Sequence, residues 1–132
     1  MRKYRNRKVT IDGVTYDSKK EYNRWCELRL LERAGRITDL QRQVPFELIP
    51  AQYRTIETGE RYKNNNLARG IRAGDPKTKE VCLEQSVVYY ADFVYQQDGR
   101  QVVEDAKGVR TADYIIKRKL MLERYGIKIR EV

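Results

Sequence analysis

VVYYADFVYQQDGRQVVEDAK, the run from Val87 to Lys107, reads as two β-strands joined by a tight turn. Val87–Tyr95 and Gln101–Lys107 are rich in Val, Tyr and Phe, and the intervening Asp98-Gly99 suits a type I′ turn. With Asp98 and Gly99 as the loop residues, Gln97 faces Arg100. Counting back along both strands then sets Asp92 opposite Asp105. Side chains alternate along a strand, so Tyr90, Asp92 and Val94 share a face with Val103, Asp105 and Lys107. Glu104 points to the other side.

Two carboxylates roughly 5 Å apart across a strand pair are unfavourable unless a cation lies between them. Lys107, on the same face, is one candidate. A divalent metal is another, because two anionic oxygen donors side by side form the nucleus of a Mg²⁺ or Mn²⁺ site. A plainer arrangement also fits, with one Asp capping a turn and the other solvated at a sheet edge. Alternation by itself does not separate the two.

Composition narrows the field. The 132 residues suit one domain with a core large enough to fold without disulfides. Lys and Arg number 28 against 19 Asp and Glu, a net +9 that points to a polyanionic partner, most simply nucleic acid, or else to a merely basic protein. Cys26 and Cys82 stand alone, so neither a disulfide framework nor a zinc site is indicated. No apolar run approaches a membrane span or a signal peptide, and an intracellular protein is expected. There is no histidine. That excludes His-based nucleases and Ser-His or Cys-His hydrolases, and leaves carboxylates, lysine and a metal for any phosphodiester chemistry.

The N-terminal strip, which includes Arg5, Arg7 and Lys8, is a basic arm over residues 1–8: either a disordered tail or a surface for phosphates. A small hairpin follows from Val9 to Tyr16. Ser18-Lys19-Lys20-Glu21 matches a capping box, and helical pattern continues to about Ala34, ended by Gly35. Glu21, Trp25 and Leu28 fall on one stripe, so Glu21 heads the inward face. It is either the capping carboxylate or a third carboxylate delivered to the Asp pair, and both roles hold at once only if the side chain changes partner on metal binding. A strand is predicted over Gln41–Ile49, at an edge because of Pro45, with Gln43 as its polar residue able to face the site. Residues 51–80, carrying Asn64-Asn65-Asn66, several glycines, Arg69 and Arg72, read as a long irregular loop or insertion: a flexible nucleic-acid clamp, or a tolerated insertion. A helix over Ala112–Tyr125 puts Ile115, Ile116, Leu120 and Leu122 on its apolar side and Lys117, Arg118 and Lys119 on a basic one. Ile127–Val132 closes the chain as a strand parallel to the preceding one.

Tyr16-Asp17-Ser18-Lys19-Lys20-Glu21, Gln43-Val44-Pro45-Phe46, Ala91-Asp92-Phe93 and Glu104-Asp105-Ala106-Lys107-Gly108 occur in that order on helix, strand, strand and strand. The arrangement resembles the PD-(D/E)XK nuclease superfamily, and within it a phage-borne branch described as endonuclease-like or Holliday junction resolvase-like. The resemblance spans Ile11 to Val132 and departs from it at 51–80, which is longer than a minimal core needs. It implies an α/β fold of the α+β mixed-sheet kind, a restriction-endonuclease-like αβββαβ core whose central sheet is flanked by helices. It also implies a metal-dependent DNA endonuclease using Mg²⁺ or Mn²⁺. Asp92 and Asp105 would be metal ligands, with the Ala106 carbonyl and Glu21 completing the shell, and Lys107 would orient the attacking water. Gln43 and Tyr90 would line the site. Arg5, Arg7, Lys8, Arg69, Arg72, Lys117, Arg118 and Lys119 would meet DNA, duplex or branched. Two scissile strands at a junction call for a homodimer. A phage-borne enzyme would work in the host cytoplasm. The competing functions are a nuclease subunit of a larger DNA-processing complex, a non-catalytic DNA-binding protein on this fold, and a basic RNA-binding protein.

Overall fold

The computed structural model describes residues 7–106 and 109–132. Arg5 and Lys107, both assigned roles above, lie outside the described residues. The architecture is mixed α+β. In chain order it runs β1 (Val9–Ile11), β2 (Val14–Tyr16), α1 (Lys19–Arg33), β3 (Thr38–Ile49), β4 (Gln52–Arg61), β5 (Pro76–Glu84), β6 (Val87–Gln97), β7 (Arg100–Asp105), α2 (Ala112–Tyr125) and β8 (Arg130–Glu131). Among the described residues no helix is long and apolar enough to cross a membrane.

Two compact units divide the chain: residues 1–48 with 88–132, and residues 49–87. The first holds a four-stranded mixed sheet in the order β3-β6-β7-β8. Its centre is the hairpin read from the sequence. Gln97 pairs with Arg100 and Phe93 with Glu104, and the turn residues Asp98 and Gly99 have φ of 52° and 74°, the two positive values a type I′ turn needs. β8 then joins β7 in parallel, Glu104 beside Arg130 and Asp105 beside Glu131. β3 starts three residues earlier than expected and lies at the sheet edge, the position in which a sheet tolerates a proline such as Pro45.

The Phe93 side of the sheet carries the core. Leu28, Ile37, Phe93, Tyr95 and Ala106 are buried together, flanked by Trp25, Leu31, Leu40 and Val102. Trp25 of α1 stacks on Phe93 with ring centroids 6.1 Å apart. α1 begins where its cap predicts: Ser18 Oγ accepts from the Glu21 amide at 3.1 Å. α2 also keeps its predicted span, with Thr111 as N-cap and Gly126 at φ 67° ending it. Its buried side differs from the one predicted. Tyr114 and Met121, seven residues apart, face inward, whereas Ile116 and Leu122 are exposed. The four aliphatic residues do not fall on a single helical stripe, and Tyr114 with Met121 do.

Residues 49–87 correct the expectation of a loop. β4 and β5 form an antiparallel hairpin with Tyr53 opposite Cys82 and Ile56 opposite Lys79. Its tip is a 3₁₀ turn over Leu67–Arg69 closed by an Asn66–Ile71 bridge. Arg61 Nη1 donates to the Gly74 carbonyl at 2.7 Å, and Asn65 Oδ1 accepts from the Ala73 amide at 2.7 Å. The Asn-rich and Gly-rich stretch therefore has its own hydrogen-bonded order. The hairpin was invisible to alternation because both of its faces are largely exposed, so neither is written in apolar residues.

Candidate active site

At one end of the four-stranded sheet, three elements bring carboxylates together. The β6–β7 register, carried one step past Phe93 and Glu104, sets Asp92 opposite Asp105. Both are buried, Asp105 to 1% exposure. Asp92 Oδ2 accepts from the Ala106 amide at 2.9 Å, and its Oδ1 accepts from Gln43 Nε2 at 3.2 Å. Asp105 Oδ2 accepts from the Tyr89 hydroxyl at 2.5 Å. Each acid is thus oriented by at least one fixed donor. The Tyr89 phenol is driven above its ordinary range by burial and by the Asp105 charge, so it stays a donor.

Glu21 reaches the same place from the first turn of α1 and is 2% exposed. Its two oxygens divide the roles that the sequence left in competition. Oε2 accepts from the Asp17 amide at 3.1 Å, one residue ahead of the Ser18 cap, and so ties down the entry to the helix. Oε1 accepts from Gln43 Nε2 at 3.1 Å and from Arg42 Nη2 at 3.3 Å. Capping and facing the acidic pair therefore coexist without a change of state. Burial, and next the Asp92 charge, push the Glu21 carboxyl above its usual range, while the Asp17 amide and Arg42 pull it back.

Arg42 is held over the Tyr16 ring at 4.1 Å and near Trp25 at 5.5 Å, a desolvated setting that favours a guanidinium. Its neighbour Gln43 takes φ of 51° within β3. A left-handed residue inside a strand costs about 1–2 kcal/mol and breaks the alternation. Through it, consecutive residues Arg42 and Gln43 both reach Glu21.

The expected residues sort as follows. Glu21, Gln43, Asp92 and the Ala106 backbone are linked by hydrogen bonds, and Asp105 faces Asp92 across the hairpin. Tyr90 is 58% exposed, and Tyr89 is the tyrosine that bonds to Asp105. Strict alternation places Tyr89 on the Phe93 face, away from the one it assigns to Asp92 and Asp105. Tyr89 and Arg42 were both missed. The doubled tyrosine at 89–90 was the available signal for the first, and a lone Arg beside Gln43 in an edge strand for the second.

Glu104 lies on the opposite face, fully buried, where Arg24 grips it through Nε and Nη2, each at 2.8 Å, and the Tyr95 hydroxyl donates to it. Arg7, Lys8, Arg69, Arg72 and Lys119 are exposed, and Lys117 is half-buried. Arg118 is already engaged: its Nη1 donates to Glu131 Oε1 at 2.8 Å, and Arg110 pairs with the same carboxylate at 2.5 Å. Glu131, beside Asp105 in the sheet, is held below the usual carboxylate range chiefly by Arg118.

The donors here are all oxygens, which is the chemistry a hard divalent cation takes. Their spacing is less favourable. Among the described residues no group of three His, Cys, Asp or Glu is close enough to hold a metal ion. Between Glu21 and Asp92 the Gln43 amide nitrogen bonds to one oxygen of each. The site fits a cation in donor type, and Gln43 occupies the space between two of the donors.

A mixed α+β chain with a buried, oxygen-lined acidic cluster at one end of its sheet is the class these observations define. The chain belongs to the family described as "Protein of unknown function (DUF1064)", which matches residues 1–131. No curated protein and no solved structure matches it.

Proposed function

We propose that the chain is a Mg²⁺-dependent DNA endonuclease that hydrolyses phosphodiester bonds, acting on branched or junction DNA in phage recombination or replication, inside the host cell. The observation that carries this is the facing pair Asp92 and Asp105, both buried, with Asp92 joined through Gln43 to a third carboxylate on α1. The four motifs resembling PD-(D/E)XK nucleases support it, as does the net charge of +9.

Asp92, Asp105, the Ala106 carbonyl and Glu21 would hold the cation. Bound there, it would supply Lewis-acid polarisation of the phosphate and a water of lowered pKa. The chain's own contribution is positional. The Ala106 amide and Tyr89 hydroxyl fix the two Asp carboxylates in place, which lowers the reorganisation needed when substrate arrives. Arg42 offsets the charge of Glu21 at 3.3 Å. Lys107, by resemblance, would offset charge that develops on the phosphate. Arg7, Lys8, Arg69, Arg72, Lys117 and Lys119 would meet the DNA backbone, giving affinity that falls steeply with salt. A homodimer would present two such sites to the two strands of a junction.

Cleavage of labelled four-way junction, flap, single-stranded and linear duplex DNA tests the proposal. Each is incubated with Mg²⁺, with and without chelator, using the wild type and Asp105→Asn. Chelator-sensitive cutting that the variant loses supports an endonuclease, and symmetric cuts confined to the junction make it a resolvase. DNA binding with no cutting of any substrate by the purified protein overturns it as a self-sufficient enzyme.

A further inference from the structure

The Gln43 carboxamide sits where two carboxylates would otherwise repel each other. One nitrogen, Nε2, lies 3.1 Å from Glu21 Oε1 and 3.2 Å from Asp92 Oδ1, so its two hydrogens serve one acid each. The backbone is committed to this placement, since Gln43 is held at φ 51° inside β3. A carboxamide has a further property that no other side chain here shares. Half a turn about its last bond exchanges the nitrogen for an oxygen of nearly the same size. The nitrogen suits a gap between two anions. The oxygen is a neutral, hard donor of the kind divalent cations accept.

We propose that Gln43 is an exchangeable ligand of the site, donating to Glu21 and Asp92 when no cation is present and turning its oxygen to the cation when one binds. The inference rests on the metal-dependent reading above and adds a residue to it. It also gives a functional reason for the second of the two left-handed residues in β3, Gln43, the first being Asp39 at φ 54°.

The test uses Mn²⁺ as probe, with affinity from titration calorimetry and thermal stability measured in chelator. The proteins are the wild type, Asp92→Ala, Gln43→Ala and Gln43→Glu. Gln43→Glu offers a permanent oxygen and no N–H. It should melt lower than wild type in chelator, because a further charge replaces the amide donors, yet bind Mn²⁺ at least as tightly. Gln43→Ala should also melt lower in chelator and bind roughly tenfold more weakly, the scale on which supporting groups act at metal sites. Opposite movement of stability and affinity in Gln43→Glu is the signature of exchange. Gln43→Ala binding as tightly as wild type, or Gln43→Glu binding more weakly than Gln43→Ala, would show that the amide only latches the acids and would overturn the inference. Wild type showing no Mn²⁺ binding that Asp92→Ala removes would instead sink the metal-dependent reading itself, and this inference with it.

Discussion

Glu104 and Asp105 are adjacent acids on one strand, and the structure gives them opposite consequences when neutralised. Glu104→Gln removes the charge that Arg24 grips with two bonds of 2.8 Å on a carboxylate with no solvent exposure. Breaking a buried pair by neutralising one partner costs about 3–5 kcal/mol. Arg24 is 23% exposed and keeps Glu27 at 2.9 Å, so the lower end applies, about 3 kcal/mol. For a chain of this size that is roughly a 10 °C fall in Tm. Asp105→Asn keeps an acceptor for the Tyr89 hydroxyl and relieves repulsion with Asp92, so its stability should stay within about 1 kcal/mol of wild type. Urea unfolding of both variants measures this, with Arg24→Met and the Arg24→Met/Glu104→Gln double variant closing a cycle whose coupling should be about 2 kcal/mol. On the proposed function, Glu104→Gln still cuts DNA per folded molecule and Asp105→Asn does not. A cost under about 1 kcal/mol for Glu104→Gln would refute the assignment of the two acids to separate faces.

Other expectations follow from the same contacts. The Glu21 carboxyl titrates above its ordinary 4.5, so its contribution to stability is full below that value and is lost as pH rises through the raised one. Glu21→Gln should therefore flatten the fall in Tm expected above pH 4.5 in metal-free protein, and an unchanged slope would count against the assignment. Arg42→Met keeps bulk against Tyr16 and Trp25 but removes the charge at Glu21, so its destabilisation should be larger at pH 8 than at pH 5, read by the same melts. Ser18→Ala removes the acceptor for the Glu21 amide and should cost about 1 kcal/mol in urea unfolding. Lys119→Ala, if the lysine contacts a phosphate, should lower the slope of log affinity against log salt for duplex DNA by about 1 without changing sequence preference.

What the sequence showed, and what it hid, follows from how each element is written. The β6–β7 hairpin was legible because Asp98-Gly99 fixes its turn, and a fixed turn fixes every facing pair up to Asp92 and Asp105. Both helices were legible because their caps are spelled in single residues, Ser18 and Thr111. The β4–β5 hairpin was not, since a ribbon exposed on both faces carries no apolar alternation and its asparagines and glycines resemble a loop. The site was half legible. Asp92 and Asp105 follow from parity, but Tyr89 and Arg42 reach the cluster only because local geometry departs from parity. A positive φ at Gln43 is a tertiary property that no residue type announces.

That departure explains why the third carboxylate comes from a helix on the core side. By alternation Asp92 and Asp105 face away from the Phe93 side that α1 covers, so Glu21 could not join them across an ideal sheet. The left-handed Gln43 kinks the edge strand so that its amide spans from Glu21 on α1 to Asp92 on β6. Edge position matters to this: β3 has a neighbour on only one side, so a kink there disrupts one ladder where in a central strand it would disrupt two. The Gln43 amide thereby links Glu21 on the core side to Asp92 on the other face. On that argument, restoring regular geometry at Gln43 would separate Glu21 from Asp92 even with every acid still present.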